Sequence, residues 1–288
     1  MHPAKSIILF TSLSGLGFGL MVIFGLGLTN VSGFTALVFT ALALGLASAG
    51  LIASLFHLGN PQRFIKALTQ IRTSWLSREG VLSILTMTTF GLFGLLLYFD
   101  IRFAILGYLA SLLALATIFS TAMIYAQLRT VPRWYTALTP ALFLAYALAG
   151  GLLLGSQMQS SLWACLALLA LQFTHWVRGR SALNASGSTA ETATGLGAIG
   201  AVRLLESPHT ARNYVTTEMV FRIGRGRASQ LKIVVIVLML LQIAILGIAP
   251  AGHIMAAIVI LLHLASTLTA RWLFFAESEH LVSLYYNK

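Results

Sequence analysis

Long apolar runs separated by short polar punctuation follow one another along most of the chain. An apolar run of about 18 residues or more, rising 1.5 Å per residue, crosses a hydrocarbon layer of about 30 Å as a helix. Runs of that length lie near residues 6–28, 32–57, 80–99, 103–127, 137–156, 159–177, 231–249 and 251–275. Lipid holds no water to satisfy backbone groups, so each run is expected to be helical. The pattern predicts an all-α, polytopic membrane protein with eight transmembrane helices, forming one integral membrane domain over residues 1–288. The first run begins close to Met1, yet its length and the lack of a small-residue cleavage motif predict a retained span rather than a signal peptide.

Composition agrees with the pattern: 58% of residues are hydrophobic and 9% charged, a balance that no soluble core accommodates. Residues 178–230 form the one long connection, rich in Gly, Ser, Thr and Arg without an apolar period. Such a segment is expected to order only against a partner. The single cysteine, Cys165, falls inside the sixth run. One thiol makes no intramolecular disulfide and holds no iron–sulfur cluster, so a cluster serving this chain belongs to another subunit.

Charge sets the expected orientation. With eight spans, both termini and the connections after spans two, four and six share one face. Of the 18 lysines and arginines, all but Arg102 fall on it. The positive-inside rule makes that face, and both the N and C termini, cytoplasmic. The opposite connections are too short to hold a catalytic domain or dock a large partner. Taken singly, each arginine is an ordinary topology signal. As a set, Lys66, Arg72, Arg129, Arg133, Arg222, Arg225 and Arg227 are expected to attract an acidic soluble subunit or anionic lipid headgroups. Nothing in the chain resembles a nucleic-acid-binding module.

Ionisable residues in or near the apolar slab are few and therefore informative. His57 closes the second run, Glu79 opens the third, His175 ends the sixth and His263 falls in the middle of the eighth. Alone, His57 reads as a helix-end anchor and Glu79 as an acid in a first helical turn, worth about 0.3–1 kcal/mol. Together they flank one connection, from His57-Leu-Gly-Asn-Pro to Ser74-Trp-Leu-Ser-Arg-Glu79, and can return to one pocket at the membrane surface. A histidine titrating near neutral pH beside a tunable carboxylate is the pair needed to exchange protons with a quinone. A transmembrane haem b needs two histidines at matched depth on different helices, and only His57 and His175 meet that condition. The chain is expected to hold no other metal.

The phrases SLFHLGNPQRFIKAL, SWLSREG and MIYAQLRTVPRWYT resemble those of the dimethyl sulfoxide reductase membrane-anchor family, as do the length and the eight expected spans. The resemblance implies a subunit that fixes a molybdopterin catalytic subunit and a four-cluster iron–sulfur subunit to the bacterial cytoplasmic membrane and exchanges electrons with ubiquinone or menaquinone. It matches His57 and Glu79 to the quinone-site histidine and acid, and places Tyr125, Trp134 and Tyr135 in the family's other recurring motif. Arg63, Trp75, Arg78, Tyr125, Trp134 and Tyr135 are expected to line the same pocket. Beyond about residue 160, PHTARNYVTTEM and RWLFFAESEHLVSLYY resemble the anchors of cytoplasmic sulfite dehydrogenases. The basic face carries the His57–Glu79 connection, which implies cytoplasmic partners and electron flow from sulfite to quinone. The alternative within the family is a reductase that oxidises quinol. A secondary transporter is the more distant reading; it would show charged groups at mid-membrane and internal repeats, and neither is evident.

Two further features complete the expectations. Gly15 and Gly19 on the first span, and Gly151 and Gly155 on the fifth, permit close helix approach. The segment after Arg271, ending in the tail 276–288, interleaves Trp272, Phe274, Phe275, Tyr285 and Tyr286 with Glu277, Glu279 and His280. It is expected to lie at the headgroups.

Overall fold

The computed structural model describes residues 1–56, 64–206, 213–219, 225–248 and 252–286. Among these, eight long helices make up the body: α1 (Lys5–Gly25), α2 (Gly33–Leu55), α3 (Trp75–Tyr98), α4 (Ala104–Ala126), α5 (Leu138–Leu154), α6 (Met158–Arg180), α7 (Ala228–Ile248) and α8 (His253–Ala276). Seven are long and apolar enough to cross a membrane. The remaining one, α5, is apolar but has only 17 residues, at the lower end of the spanning range of about 17–25. It stops before Ser156, whose φ of 59° is left-handed and incompatible with a continuing helix.

Several bounds differ from expectation for local reasons. α3 starts at Trp75 rather than near 80, because Ser74 caps it by accepting the Ser77 N–H at 3.4 Å. Glu79 is thereby carried past the helix opening and is 4% exposed, so it is no solvated first-turn acid. α6 continues to Arg180 and α7 begins at Ala228, which shortens the long connection from both sides. Its described parts contain short helical turns at Ala182–Ala185, Ala190–Thr194, Leu196–Ala198 and Val215–Met219.

α1 is the hub. It packs against α2, α4, α5 and α8, and Phe18, Leu20, Met21, Val22 and Phe24 are almost wholly enclosed. Small residues permit this. A Cβ on Gly19 would lie 1.9 Å from the Ala147 carbonyl oxygen of α5, and one on Gly151 would meet the Gly19 backbone at 2.3 Å. On the other side, a Cβ on Gly17 would meet the Ala47 backbone nitrogen of α2 at 2.5 Å. Backbones this close are how helices associate where lipid is as apolar as leucine. Gly15, by contrast, has its nearest neighbour at 4.0 Å. The outer helices turn Phe34, Ile105, Leu112, Ile233 and Leu261 outward, as lipid-facing surfaces do.

Several polar groups inside the bundle are paired across helices. Thr86 and Thr117 hydroxyls join α3 to α4 at 3.0 Å, and Ser111 donates to the Val22 carbonyl of α1 at 3.0 Å. Mid-bundle His263 places Nε2 at 3.2 Å from the Tyr146 carbonyl and Nδ1 at 3.5 Å from the Gln242 amide, which donates to Cys165 Sγ at 2.6 Å. The histidine and the lone cysteine thus tie α5, α6, α7 and α8 together.

One end of the bundle gathers the two termini and the connections. The Met1 ammonium donates to the Ser278 carbonyl at 2.7 Å, and the Leu281 N–H to the Thr130 carbonyl at 2.9 Å. Tyr285 donates to the Ala193 carbonyl at 2.6 Å. The described tail therefore folds back over the α4–α5 connection and the Ala190–Thr194 turn. Phe274 and Phe275, expected at the headgroups, belong to α8 and are buried, because the helix runs on to Ala276.

Candidate functional site

Buried positions on α3 recur at Glu79, Ser83, Thr86, Phe90 and Phe93, the spacing of one helical face. That stripe turns Glu79 inward at the crowded end of the bundle. Beside it lies a cavity of about 480 Å3, within the range of about 300–1,000 Å3 usual for small-molecule sites. The last turns of α2 supply Leu51, Ile52 and Leu55, α1 supplies Ile7 and Phe10, and α4 supplies Ile124 and Tyr125. Leu76, Ser83 and Ile84 of α3 complete the wall around the carboxylate, with Leu68 from the preceding connection. Almost the whole lining is hydrocarbon. Among the described residues Glu79 is its only acidic or basic side chain, and Oε1 accepts a hydrogen bond from Thr121 Oγ1 at 3.2 Å. Thr121 is itself held by its contact with the Thr117 carbonyl at 3.1 Å.

Behind the cavity, Tyr125 is packed into an aromatic cluster. Its ring meets Trp134 edge-on at 5.4 Å, and Trp134 stacks on Phe274 at 5.3 Å with 11° between planes. The Trp134 indole donates to the Phe274 carbonyl at 3.1 Å. The motif tyrosine and tryptophan are thereby separated in role: Tyr125 reaches the cavity wall, and Trp134 fixes the end of α8.

Other expected lining residues sit elsewhere. Arg78 donates to the Ile71 and Arg72 carbonyls at 2.9 and 2.8 Å, and its guanidinium lies 4.3 Å from the Trp75 ring centroid. The two brace the connection leading into α3 rather than line the cavity. Tyr135 is exposed, with Arg129 5.6 Å from its ring centroid. Both line a separate open pocket of about 570 Å3 with Arg133, His175 and Arg178. His57, Arg63 and Arg222 lie outside the described residues, as does the side chain of Arg225. α2 ends two positions before His57 in sequence.

Lys66, Arg72, Arg129 and Arg227 are exposed and remain available to a docking partner. Arg133 is not. It is 9% exposed and holds Glu277 Oε2 at 2.7 Å, while the other Glu277 oxygen pairs with Lys232. This clasp joins the α4–α5 connection, α7 and the end of α8. His175, one of the two expected haem ligands, is 3% exposed and stacks on Phe274 at 6.1 Å. It lies beside Arg133 and Arg271, and neither ring nitrogen has a hydrogen-bond partner among the described residues.

Three residues that shape the site leave little signal in the sequence. Thr121 is one among many membrane threonines. Glu277 reads only as part of a headgroup tail. Arg271 counts with the topology arginines, yet it is 4% exposed and its guanidinium lies 3.5 Å from the Phe143 ring centroid. Its position inside the expected span 251–275 is the available clue.

Comparison with known proteins agrees with this architecture. The family model described as DMSO reductase anchor subunit (DmsC) matches residues 1–276. A sulfite dehydrogenase subunit from Allochromatium vinosum is 30% identical over 325 aligned residues, covering 100% of this chain and 99% of that protein. The chain belongs to the DMSO reductase anchor subunit family, and is a multi-pass membrane anchor subunit of an oxidoreductase.

Proposed function

We propose that this subunit anchors a molybdopterin and iron–sulfur oxidoreductase at the cytoplasmic face of the bacterial inner membrane and passes electrons from sulfite oxidation to quinone in the Glu79 cavity. The observation that carries this reading is the cavity itself: a hydrocarbon-lined space of about 480 Å3 with one carboxylate, fixed by Thr121. A quinone is a flat apolar ring whose two carbonyl oxygens each take up a proton on reduction. The walls from α1, α2 and α4 suit the ring, and Glu79 supplies a group that hands over a proton in the absence of bulk water. His57, next in sequence after α2 and Phe56, is the second proton-exchanging group in this reading. Exposed Lys66, Arg72, Arg129 and Arg227 lie on the expected cytoplasmic face and suit an acidic iron–sulfur partner.

The direction, sulfite to quinone rather than quinol to an oxide substrate, draws on the relative from Allochromatium vinosum and on the lopsided charge. The test is turnover by the purified complex. Sulfite-dependent quinone reduction is expected in the wild type and is expected to fall by about a hundredfold or more in Glu79→Gln and His57→Ala, with all subunits still assembled. Unchanged turnover in both variants would leave only a scaffold. Quinol-dependent reduction of dimethyl sulfoxide, without sulfite activity, would reverse the direction.

A further inference from the structure

Three pockets outside the Glu79 cavity are linked by shared lining residues. The first is the open basic pocket at the crowded end of the bundle, which His175 and Arg133 help to line. The second is a small pocket of about 10 Å3, lined by the same two residues and by Arg271. The third is another cavity of about 10 Å3, lined by Arg271 together with Thr11, Ser14 and Thr121. Thr121 then donates to Glu79. Each of these two small pockets has room for about one water molecule and polar atoms to hold it.

Unmet hydrogen-bonding needs lie along this line. Among the described residues, both ring nitrogens of His175 and Nε of Arg271 are buried without a hydrogen-bond partner. Leaving such groups dry costs about 1–3 kcal/mol each, whereas a water in the adjoining cavity satisfies them. Tyr125, on the wall of the Glu79 cavity, lies within electrostatic reach of both Glu79 and Arg271.

We propose that these elements form an internal hydrated route that carries protons from the basic face through His175, water held by Arg271, and Thr121 to Glu79. The proposal rests on the quinone-reactive reading of the cavity and adds the source of its protons. Reduction of one quinone takes two electrons, supplied by the partner's iron–sulfur clusters, and two protons. The protons are drawn from water at the basic face, and each one Glu79 gives up is replaced along the route. Arg271 is a positioning residue: it holds water and balances charge, and transfers no proton itself.

The experiment uses the purified complex and follows two rates after sulfite is added: reduction of the iron–sulfur clusters and reduction of quinone, each in H2O and D2O. Arg271→Met and His175→Phe keep the bulk of the side chains they replace. Both are expected to slow quinone reduction by about tenfold or more, enlarge its solvent isotope effect and leave cluster reduction at the wild-type rate. Thr11→Val replaces a cavity-lining hydroxyl by a methyl of the same shape, so it serves where a variant of Arg271 or His175 fails to assemble, and the same slowing is expected. Quinone reduction and isotope effect at wild-type values in the assembled variants would overturn the route. If Glu79→Gln abolishes turnover while these variants do not change it, the route alone fails. If Glu79→Gln is also without effect, the quinone reading fails with it.

Discussion

Replacing Gly19 by alanine tests whether α1 is the packing hub, and Gly15→Ala on the same helix is its control. The new methyl at Gly19 would sit 1.9 Å from the Ala147 carbonyl oxygen, where a carbon–oxygen approach is normally no closer than about 3.3 Å. α1 and α5 must therefore part by about 1.4 Å. The methyl position is fixed by its own backbone and the oxygen it meets is backbone too, so no side-chain rotation relieves the contact. Overpacking of this kind costs about 3 kcal/mol, the upper end of the usual range. At Gly15 the nearest atom is 4.0 Å away, and the gain in helix propensity, about 0.5–1 kcal/mol, is unopposed. The propensity gain is common to both positions, so reversible unfolding in mixed detergent micelles should separate the two variants by the overpacking cost, about 3 kcal/mol. Since α1 also carries Ile7 and Phe10 into the cavity wall, Gly19→Ala should weaken quinone binding as well. Equal stabilities for the two variants would refute the close α1–α5 approach.

Removing the Glu277 carboxylate by Glu277→Gln leaves buried Arg133 beside half-buried Lys232 without the anion between them and is expected to destabilise the subunit by about 3 kcal/mol. Adding Lys232→Met should recover part of that loss in a double-mutant cycle, and strict additivity would argue against the clasp. Trp134→Ala empties the centre of the aromatic cluster, for about 3–5 kcal/mol, whereas Trp134→Phe forfeits chiefly the hydrogen bond to the Phe274 carbonyl, about 1 kcal/mol; thermal unfolding of the two variants should rank them so. Burial, then the charge of the N-terminal amine, holds His280 below its ordinary value of 6.5. The folded tail thus favours the neutral ring, and its stabilisation is present above that value and lost as pH falls below it. Protease cleavage within 280–286 should rise on acidification and stay flat in His280→Gln; a wild-type tail indifferent to pH would contradict this.

Helices were legible because lipid demands long apolar segments, and that demand is written continuously along the chain. Which helix sits at the centre was not legible. Lipid-facing and core-facing sides are both apolar, so Leu20 of α1 and Leu112 of α4 look alike in sequence although one is enclosed and the other exposed. Glu79 stood out because an acid in an apolar helix is costly, but its depth depended on Ser74 moving the start of α3. Its partner Thr121 is one of many threonines, and the pairing of Arg133 with Glu277, 144 positions apart, leaves no local trace. Motif membership also blended roles that geometry separates: Tyr125 faces the cavity, Trp134 secures α8 and Tyr135 lies by the open basic pocket.

The claim that the Glu79 cavity receives quinone is tested most directly by photolabelling. An azidoquinone irradiated with the purified complex, followed by peptide mapping, should mark the cavity walls at residues 51–55 of α2 and 76–84 of α3. Excess quinone should suppress that labelling, and Glu79→Gln should diminish it. Labelling confined to α6, α7 or α8, or labelling of α2 and α3 that excess quinone does not displace, would contradict the account.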